Sequence, residues 1–102
     1  TSSNFFLVRD GLLLTPPLSD GVLPGIVRSL ILDEIFSEGI KTCEMSILPD
    51  FNDVDGAFIT NVVTGITNVS HIDGQFVGSY EGRKIVKQLS DGYHNDTSDQ
   101  IQ

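Results

Sequence analysis

The sequence predicts one small domain of mixed α/β (α+β) class, with a mixed sheet and two main helices. Three observations lead to this expectation. Short apolar runs flank two Asp-Gly pairs, at Asp10-Gly11 and Asp73-Gly74. Apolar residues recur at helical spacing in two separate segments. The length of 102 residues suffices for a single domain with a single core.

The first strand pair is predicted around Asp10-Gly11. Residues 5–8 and 12–14 are apolar, and an Asp-Gly pair between apolar runs is a strong signal of a β-hairpin. Pro16 and Pro17 follow and cannot continue a central strand, so residues 15–18 are predicted to form a loop.

The first helix is predicted over residues 24–38, with Gly39 as its C-cap. The apolar residues of this segment fall on one helical face, namely Val27, Leu30, Ile31 and Ile35. Alternation of apolar and polar residues then predicts a half-buried strand over residues 42–47. Cys43 lies on the apolar face of that strand, where it is expected to be a small core residue.

The remaining elements are predicted in the second half of the chain. Strands are expected at 57–61 and 66–72, and the hairpin signal at Asp73-Gly74 returns the chain into another short strand. A second amphipathic helix is centred on 85–93. These elements predict a domain over residues 1–92, followed by a polar tail at 93–102 that frays.

The composition excludes two classes of partner. Fourteen acidic residues against six basic ones give a net charge of −8, which disfavours nucleic-acid binding because phosphate contacts need clustered Lys and Arg. No apolar run approaches the ~20 residues of a membrane span, so no membrane insertion is expected.

The single cysteine fits a reducing compartment. We expect a cytoplasmic protein, with the reservation that an organellar targeting segment could precede the sequence.

Two segments are candidates for binding an anion. Residues 23–28 place Gly25 at the start of a helix, where the N–H groups of Ile26 and Val27 and the helix dipole form an anion site. The alternative is an ordinary helix start, because Pro is favoured in the first turn. Residues 60–66 lie between two strands, where irregular backbone presents N–H groups. The alternative there is a simple strand–turn–strand link.

No catalytic residue and no metal site is predicted within the chain. His71 and His94 are interpreted as structural. The aspartates of residues 50–55 lack the glycine and glutamate of a calcium-binding EF-hand loop and are interpreted as a solvated loop. Thr1 is a conceivable N-terminal nucleophile, but a fragment boundary explains this position better.

Five ordered motifs resemble one known family. They are residues 2–8 (SSNFFLV), 14–17 (LTPP), 23–28 (LPGIVR), 58–61 with 66–69 and 72–74, and the helix after Gly82. Over residues 1–92 they are similar to the class IV aminotransferases, the fold-type IV pyridoxal-phosphate (PLP) enzymes that include branched-chain aminotransferases and 4-amino-4-deoxychorismate lyases. The resemblance implies the C-terminal domain of that fold, an open, barrel-like mixed sheet.

The resemblance also implies site residues. The cofactor-binding positions are Leu23 against the ring, Gly25 at the phosphate, the amides of Ile26 and Val27, and Val62 beside the phosphate. Val63 is the substrate-binding position, where family members bind the carboxylate through main-chain N–H. Many members carry Thr where this chain has Val27 and Thr or Ser where it has Val62, so two hydroxyls are missing here. Their loss is expected to weaken the phosphate cup by about 0.5–1.5 kcal/mol each.

The family's catalytic groups do not match any part of this sequence. The resemblance places its Schiff-base lysine, and the glutamate that pairs with the pyridine nitrogen, upstream of Thr1. The three lysines of the chain, Lys41, Lys84 and Lys87, do not stand in that lysine's context. We therefore expect a C-terminal fragment that is inactive alone, binds pyridoxal phosphate weakly or not at all, and lacks its partner, the N-terminal domain of the same enzyme.

The parent of such a fragment would be a homo-oligomer that transaminates a small amino-acid-like substrate or acts as an aminodeoxychorismate lyase. The sequence of residues 60–66 (TNVVTGI) slightly favours the lyases over the aminotransferases. The alternative is a degenerate, non-catalytic domain of the same fold that serves binding or assembly.

Overall fold

A computed structural model describes residues 3–34, 39–47 and 53–101, and of residues 96–101 the backbone alone. The strands are β1 (Asn4–Arg9), β2 (Leu12–Thr15), β3 (Thr42–Glu44), β4 (Gly56–Asn61), β5 (Gly65–Asn68), β6 (His71–Ile72) and β7 (Gln75–Phe76). The helices are α1 (Ile26–Leu32) and α2 (Tyr80–Ile101), with a short 3-10 helix at Leu18–Asp20. The predicted mixed α/β class with two main helices is confirmed.

The sheet is mixed because one of its four strand pairs is parallel. The strand order is β3-β2-β1-β4-β5, and only β2 and β3 run parallel. Both predicted Asp-Gly hairpins are present. Asp10 and Gly11 have φ of 52° and 79°, and Asp73 and Gly74 have φ of 51° and 81°. Two successive left-handed residues give the tight turn whose twist matches that of the flanking strands.

Both faces of the sheet are packed. The face that carries the helices buries Phe6, Val8, Leu13, Val27, Ile31, Phe58, Ile66, Val86 and Leu89. The opposite face buries Leu7, Leu14, Val54, Ala57 and Val77. At the centre of the first face Phe6 and Phe58 are cross-strand partners whose rings stack at 4.9 Å. Stacked aromatic pairs of this kind stabilise neighbouring strands beyond their buried area.

Helix α1 is shorter than predicted. It ends at Leu32, and Asp33 donates its N–H to the Ser29 carbonyl at 2.9 Å as the C-cap. Glu34 then takes a left-handed φ of 56°, a conformation that terminates a helix. The prediction of Gly39 as the C-cap is therefore wrong, and the predicted stretch 35–38 lies outside the described residues.

The prediction that Cys43 is a core residue is also wrong, because its side chain is exposed. The strand is shorter than the alternation suggested and spans only Thr42–Glu44. β3 is the edge strand beside β2, and Cys43 pairs with Leu14 there. The buried cluster of that face includes Leu14 but not Cys43, so the apolar periodicity continues past the limit of the core.

The segment predicted as one strand over 66–72 is divided in the structure. β5 ends at Asn68, and β6 begins at His71 in a separate two-stranded sheet. The Val69 N–H donates to the Ala57 carbonyl at 2.8 Å, which keeps the chain beside β4 at the break. The second predicted helix is present as α2, and its backbone continues to Ile101, through the segment predicted as a polar tail.

Asp55 joins the start of α2 to the start of β4. The Ser79 N–H donates to the Asp55 carbonyl at 2.7 Å, and Ser79 Oγ accepts from the Gly82 N–H at 3.2 Å, as an N-cap does. The Asp55 carboxylate also accepts from the Asp10 N–H at 2.9 Å. A Cβ on Gly82 would collide with the Asp55 carbonyl group, so α2 can approach β4 this closely only because residue 82 is glycine.

Within the described part of the chain, no helix combines the length and the apolar character that crossing a membrane requires.

The contact at Gly82 predicts that substitution of this glycine by alanine destabilises the protein. Alanine exceeds glycine in helix propensity by about 1 kcal/mol, so Gly82→Ala would stabilise a helix without this contact. We expect it instead to lower the free energy of unfolding by about 1–3 kcal/mol, because the new methyl group overpacks against Asp55. Urea unfolding measures the change, with Glu81→Ala at the exposed neighbouring position as control. A Gly82→Ala variant at least as stable as the wild type would contradict this account of the packing.

Candidate functional site

Asn4, the first residue of β1, anchors the loop that leads into α1. Its side chain is buried, and Nδ2 donates to the Leu23 carbonyl at 2.7 Å. The same carbonyl accepts from the Gly25 N–H at 3.0 Å. A Cβ on Gly25 would collide with Asn4 Oδ1. Glycine at position 25 is therefore required by the close approach of the strand and the loop.

The N-terminus of α1 presents N–H groups that the helix itself does not use. Gly25 is the N-cap in extended conformation, and its carbonyl accepts from the Ser29 N–H at 3.1 Å. The N–H groups of Ile26 and Val27 come before the first intrahelical hydrogen bond and therefore have no acceptor within the helix. The positive end of the helix dipole lies beside them. The Val27 side chain is buried, whereas that of Ile26 is 65% exposed. This end of the helix offers backbone donors to an anion.

The turn between β4 and β5 is held by Asn61. Its Oδ1 accepts from the Val63 N–H at 2.9 Å and from the Thr64 N–H and hydroxyl at 2.8 and 3.1 Å. This is the turn that Asn side chains form with the backbone two residues on. The Val63 N–H, which the resemblance assigns to a substrate carboxylate, thus has an acceptor within the protein. The Val63 side chain itself is 88% exposed.

One cleft of about 240 Å³ joins α1 and the β4–β5 turn. It is lined by Asn4, Leu23, Pro24, Gly25, Ile26, Val27, Thr60, Asn61 and Val62. The two candidate segments, some 35 residues apart in sequence (from Gly25 to Thr60), therefore meet on one surface. The cleft is smaller than the ~300–1,000 Å³ of pockets that enclose a drug-sized ligand. It can hold part of such a ligand and leaves the rest uncovered.

All five positions predicted to bind the cofactor line this cleft. They are Leu23, Gly25, Ile26, Val27 and Val62. Val63, predicted to bind substrate, does not line it. A second cleft of about 280 Å³ lies on the opposite face of the sheet, beside Leu7 and Leu14. It contains none of the predicted residues, so the smaller cleft is the candidate site.

Three polar residues of the cleft were not among the predicted cofactor- and substrate-binding positions, although two of them belong to the candidate anion-binding segment 60–66. Asn4, Thr60 and Asn61 line its polar side. Thr60 is the residue opposite Asn4 in the β1–β4 pair, it is 1% exposed, and its Oγ1 has no hydrogen-bond partner among the described residues. The only signal in the sequence was the Asn-x-x-Thr spacing at Asn61 and Thr64, which is typical of side chain-to-backbone turns. Thr60 was included only as the first residue of the candidate segment 60–66, and no role was predicted for its side chain.

Arg28 braces α1 from behind the cleft. Its Nη2 contacts Glu44 Oε2 at 2.6 Å and donates to the Pro16 carbonyl at 3.1 Å. The Arg28 side chain is 5% exposed and that of Glu44 is 45% exposed. One guanidinium nitrogen, which carries two N–H donors, thus links the helix to the end of β2 and to edge strand β3.

Both histidines lie outside the cleft. His71 Nδ1 lies 2.9 Å from Ser70 Oγ, and its ring meets Phe76 edge to face. The His94 ring packs in the same manner against Tyr93. Both side chains are exposed. The structural role predicted for both histidines stays a prediction, and neither imidazole is part of the candidate site.

Comparison with known proteins is consistent with this geometry. The family described as amino-transferase class IV matches residues 1–72. The D-alanine aminotransferase of Listeria monocytogenes is 33% identical over 90 residues, which are 87% of this chain and 31% of that protein. The branched-chain-amino-acid aminotransferase of Salmonella typhimurium is 31% identical over 91 residues, 88% of this chain and 29% of that protein.

The fold is likewise similar to a solved structure. The branched-chain amino acid aminotransferase of Escherichia coli superposes with a TM-score of 0.82 at 30% identity, covering 91% of this chain and 32% of that one. The chain spans about a third of the length of the curated relatives it matches.

The brace at Arg28 generates a stability prediction. We expect Glu44→Gln to lower the free energy of unfolding by about 1 kcal/mol, because the buried guanidinium loses its charged partner while solvent at the half-exposed carboxylate limits the cost. Glu34→Gln is the matched control, since the Glu34–Lys41 pair is longer, 3.6 Å, and exposed. We expect that change to cost no more than about 0.5 kcal/mol. Equal effects of the two substitutions in urea unfolding would contradict the role of Arg28 as a brace.

Proposed function

Because the chain belongs to the class IV amino-transferase family, we propose that it forms the cofactor-phosphate side of a pyridoxal-phosphate-dependent enzyme. The proposed parent reaction is the transamination of an amino acid. The observation that carries the proposal is the cleft in which the start of α1 and the β4–β5 turn meet.

The residues present fit a phosphate group. A phosphate dianion needs several donors and a local positive potential, and the N–H groups of Ile26 and Val27 at the helix start supply both. Thr60, which lines the same cleft, has a buried Oγ1 without a hydrogen-bond partner among the described residues. Leu23, which is 49% exposed, offers an apolar surface for a planar ring beside these donors.

When bound, pyridoxal phosphate supplies the electron sink for removal of the substrate α-proton. In the proposed role this chain binds and orients. Ile26 and Val27 hold the phosphate through main-chain N–H groups, Val62 covers it from the β4–β5 turn, and Leu23 fixes the plane of the ring. Val63 remains the proposed contact for the substrate carboxylate. Such a contact requires the Val63 N–H to exchange its present acceptor, Asn61 Oδ1.

The proposed partner of this surface is the N-terminal domain of the same enzyme. The apolar side chains at the cleft are open to solvent, with Ile26 65% and Val62 61% exposed, and surfaces of this kind mark interaction sites. The small volume of the cleft and the one-third coverage of the relatives support the same proposal. We further propose that the parent enzyme is a homo-oligomer in the cytoplasm and that it acts on a small amino-acid-like substrate.

We propose that the chain alone does not turn over substrate. The residues that line the cleft include no lysine, and the catalytic lysine is proposed to lie upstream of Thr1. The lyase reaction of the same family is the second candidate for the parent, favoured only by the motif at residues 60–66.

A degenerate binding or assembly domain is the other candidate. It is favoured by Val27 and Val62, whose side chains present no hydroxyl to the cleft.

The role of the helix N–H groups can be tested by one proline. Ile26→Pro removes the first donor, yet proline is favoured at the first helical position. Gly25, with ψ of 150°, already has the extended conformation that a residue before proline adopts. We expect the fold to persist and the affinity for pyridoxal phosphate to fall about tenfold, the loss of one hydrogen bond to a charged group. An amide NMR titration measures both the integrity of the fold and the affinity for pyridoxal phosphate. Ile26→Ala, which keeps the N–H, should bind like the wild type. Equal affinities of the two variants would exclude this phosphate site.

Covalent attachment of the cofactor separates the enzyme from the degenerate domain. Pyridoxal phosphate is added to the longest native polypeptide that contains this chain, reduced with borohydride, and mapped by mass spectrometry. The proposal expects one specifically labelled lysine upstream of Thr1. Absence of a specific label, or scattered label on Lys41, Lys84 and Lys87, would support the non-catalytic alternative.

A further inference from the structure

The cleft contains one polar side chain, that of Thr60, whose hydroxyl makes no hydrogen bond to any of the described residues. Asn4 donates to the Leu23 carbonyl, and Asn61 Oδ1 accepts three hydrogen bonds from residues 63 and 64. Thr60 Oγ1 is buried and has no partner among the described residues. Of the three polar residues that line the cleft, Thr60 is therefore the one with an unassigned hydroxyl.

An unpaired hydroxyl at this position is costly for the fold. Thr60 is 1% exposed, and a buried polar group without a partner costs about 1–3 kcal/mol. Valine has nearly the same shape and would fill the position without that cost. A buried polar group of this kind usually marks a missing partner such as a ligand or an ordered water.

The surroundings indicate which partner suits the hydroxyl. Thr60 stands opposite Asn4 in the β1–β4 pair, and the Asn4 side chain contacts the loop whose Gly25 begins α1. Thr60 thus lines the same cleft as Ile26 and Val27, the residues at the start of α1. The valine side chains at 27 and 62 bring no polar atom to the cleft. Asn4 Nδ2 already donates to the Leu23 carbonyl and Asn61 Nδ2 to Ser3 Oγ at 3.4 Å, so the Thr60 hydroxyl is the side-chain donor of the cleft without a partner among the described residues.

We propose that Thr60 is a ligand-binding residue whose hydroxyl donates to a phosphate oxygen of the molecule held in this cleft. The ligand class is a phosphate monoester, and the inference rests on the proposed function above. The hydroxyl supplies the side-chain donor that the two valines do not. The cost of leaving it unpaired in the free protein is recovered when the phosphate binds.

The proposal predicts opposite effects of one substitution on stability and on binding. Thr60→Val removes the hydroxyl and keeps the shape, so the free protein is expected to be as stable as the wild type or more stable. Its affinity for pyridoxal phosphate is expected to fall about tenfold or more, since hydrogen bonds to charged groups are the stronger ones. Its affinity for pyridoxal, which has no phosphate, is expected to be unchanged. Thr60→Ser keeps the hydroxyl and is expected to retain the affinity for pyridoxal phosphate.

The measurements are amide NMR titrations with pyridoxal phosphate and with pyridoxal, and urea unfolding of the free proteins. Thr67→Val, at an exposed threonine of the neighbouring strand β5, is the control and is expected to bind like the wild type. Unchanged affinity of Thr60→Val, while Ile26→Pro still weakens binding, would overturn the role of Thr60 and leave the phosphate site standing.

Two other outcomes would also overturn the proposal. A Thr60→Val protein that is clearly less stable than the wild type when free would show that the hydroxyl already has a structural partner. Absence of any binding of pyridoxal phosphate by the wild-type chain would overturn this inference, and the same result with the longest native polypeptide that contains the chain would also remove the proposed function.

Discussion

The close approach of Asn4 to Gly25 is the contact on which the candidate site depends. A single carboxamide at the start of β1 donates to the Leu23 carbonyl, and its oxygen occupies the space that any side chain at position 25 would need. This contact fixes where the loop ends and where α1 begins. It therefore also fixes where the N–H groups of Ile26 and Val27 emerge. The ligand-facing end of the helix is positioned by the central strand of the sheet rather than by the loop alone.

The rest of the fold keeps that strand and that helix in place. Phe6 and Phe58 stack across β1 and β4 beneath the helices, so the two strands that border the cleft share the centre of the core. Arg28 ties the far side of α1 to Pro16 and Glu44. A site assembled from backbone donors needs this support, because N–H groups cannot be reoriented as side chains can, and misplacement by about 1 Å is costly.

The sequence predicted those features that local chemistry determines. The Asp-Gly hairpins follow from residues that tolerate a left-handed backbone, and the helix start at Gly25 follows from its neighbours. Features set by tertiary contacts were not predictable. The periodicity around Cys43 does not reveal that β3 is an edge strand, and the left-handed conformation of Glu34 has no local signal. Thr60 resembles any strand threonine until its burial and its missing partner are seen in three dimensions.

The central claim is that this chain contributes a phosphate-binding cleft and that an adjoining surface is needed to complete an active site. A crystal structure of the chain grown with pyridoxal phosphate tests that claim most directly. The account predicts the phosphorus between the start of α1 and Val62, with phosphate oxygens within hydrogen-bond distance of the Ile26 and Val27 nitrogens, and one face of the ring open to solvent. Phosphate bound instead in the groove beside Arg83 and Lys87 on α2, with the cleft at Gly25 empty, would contradict it.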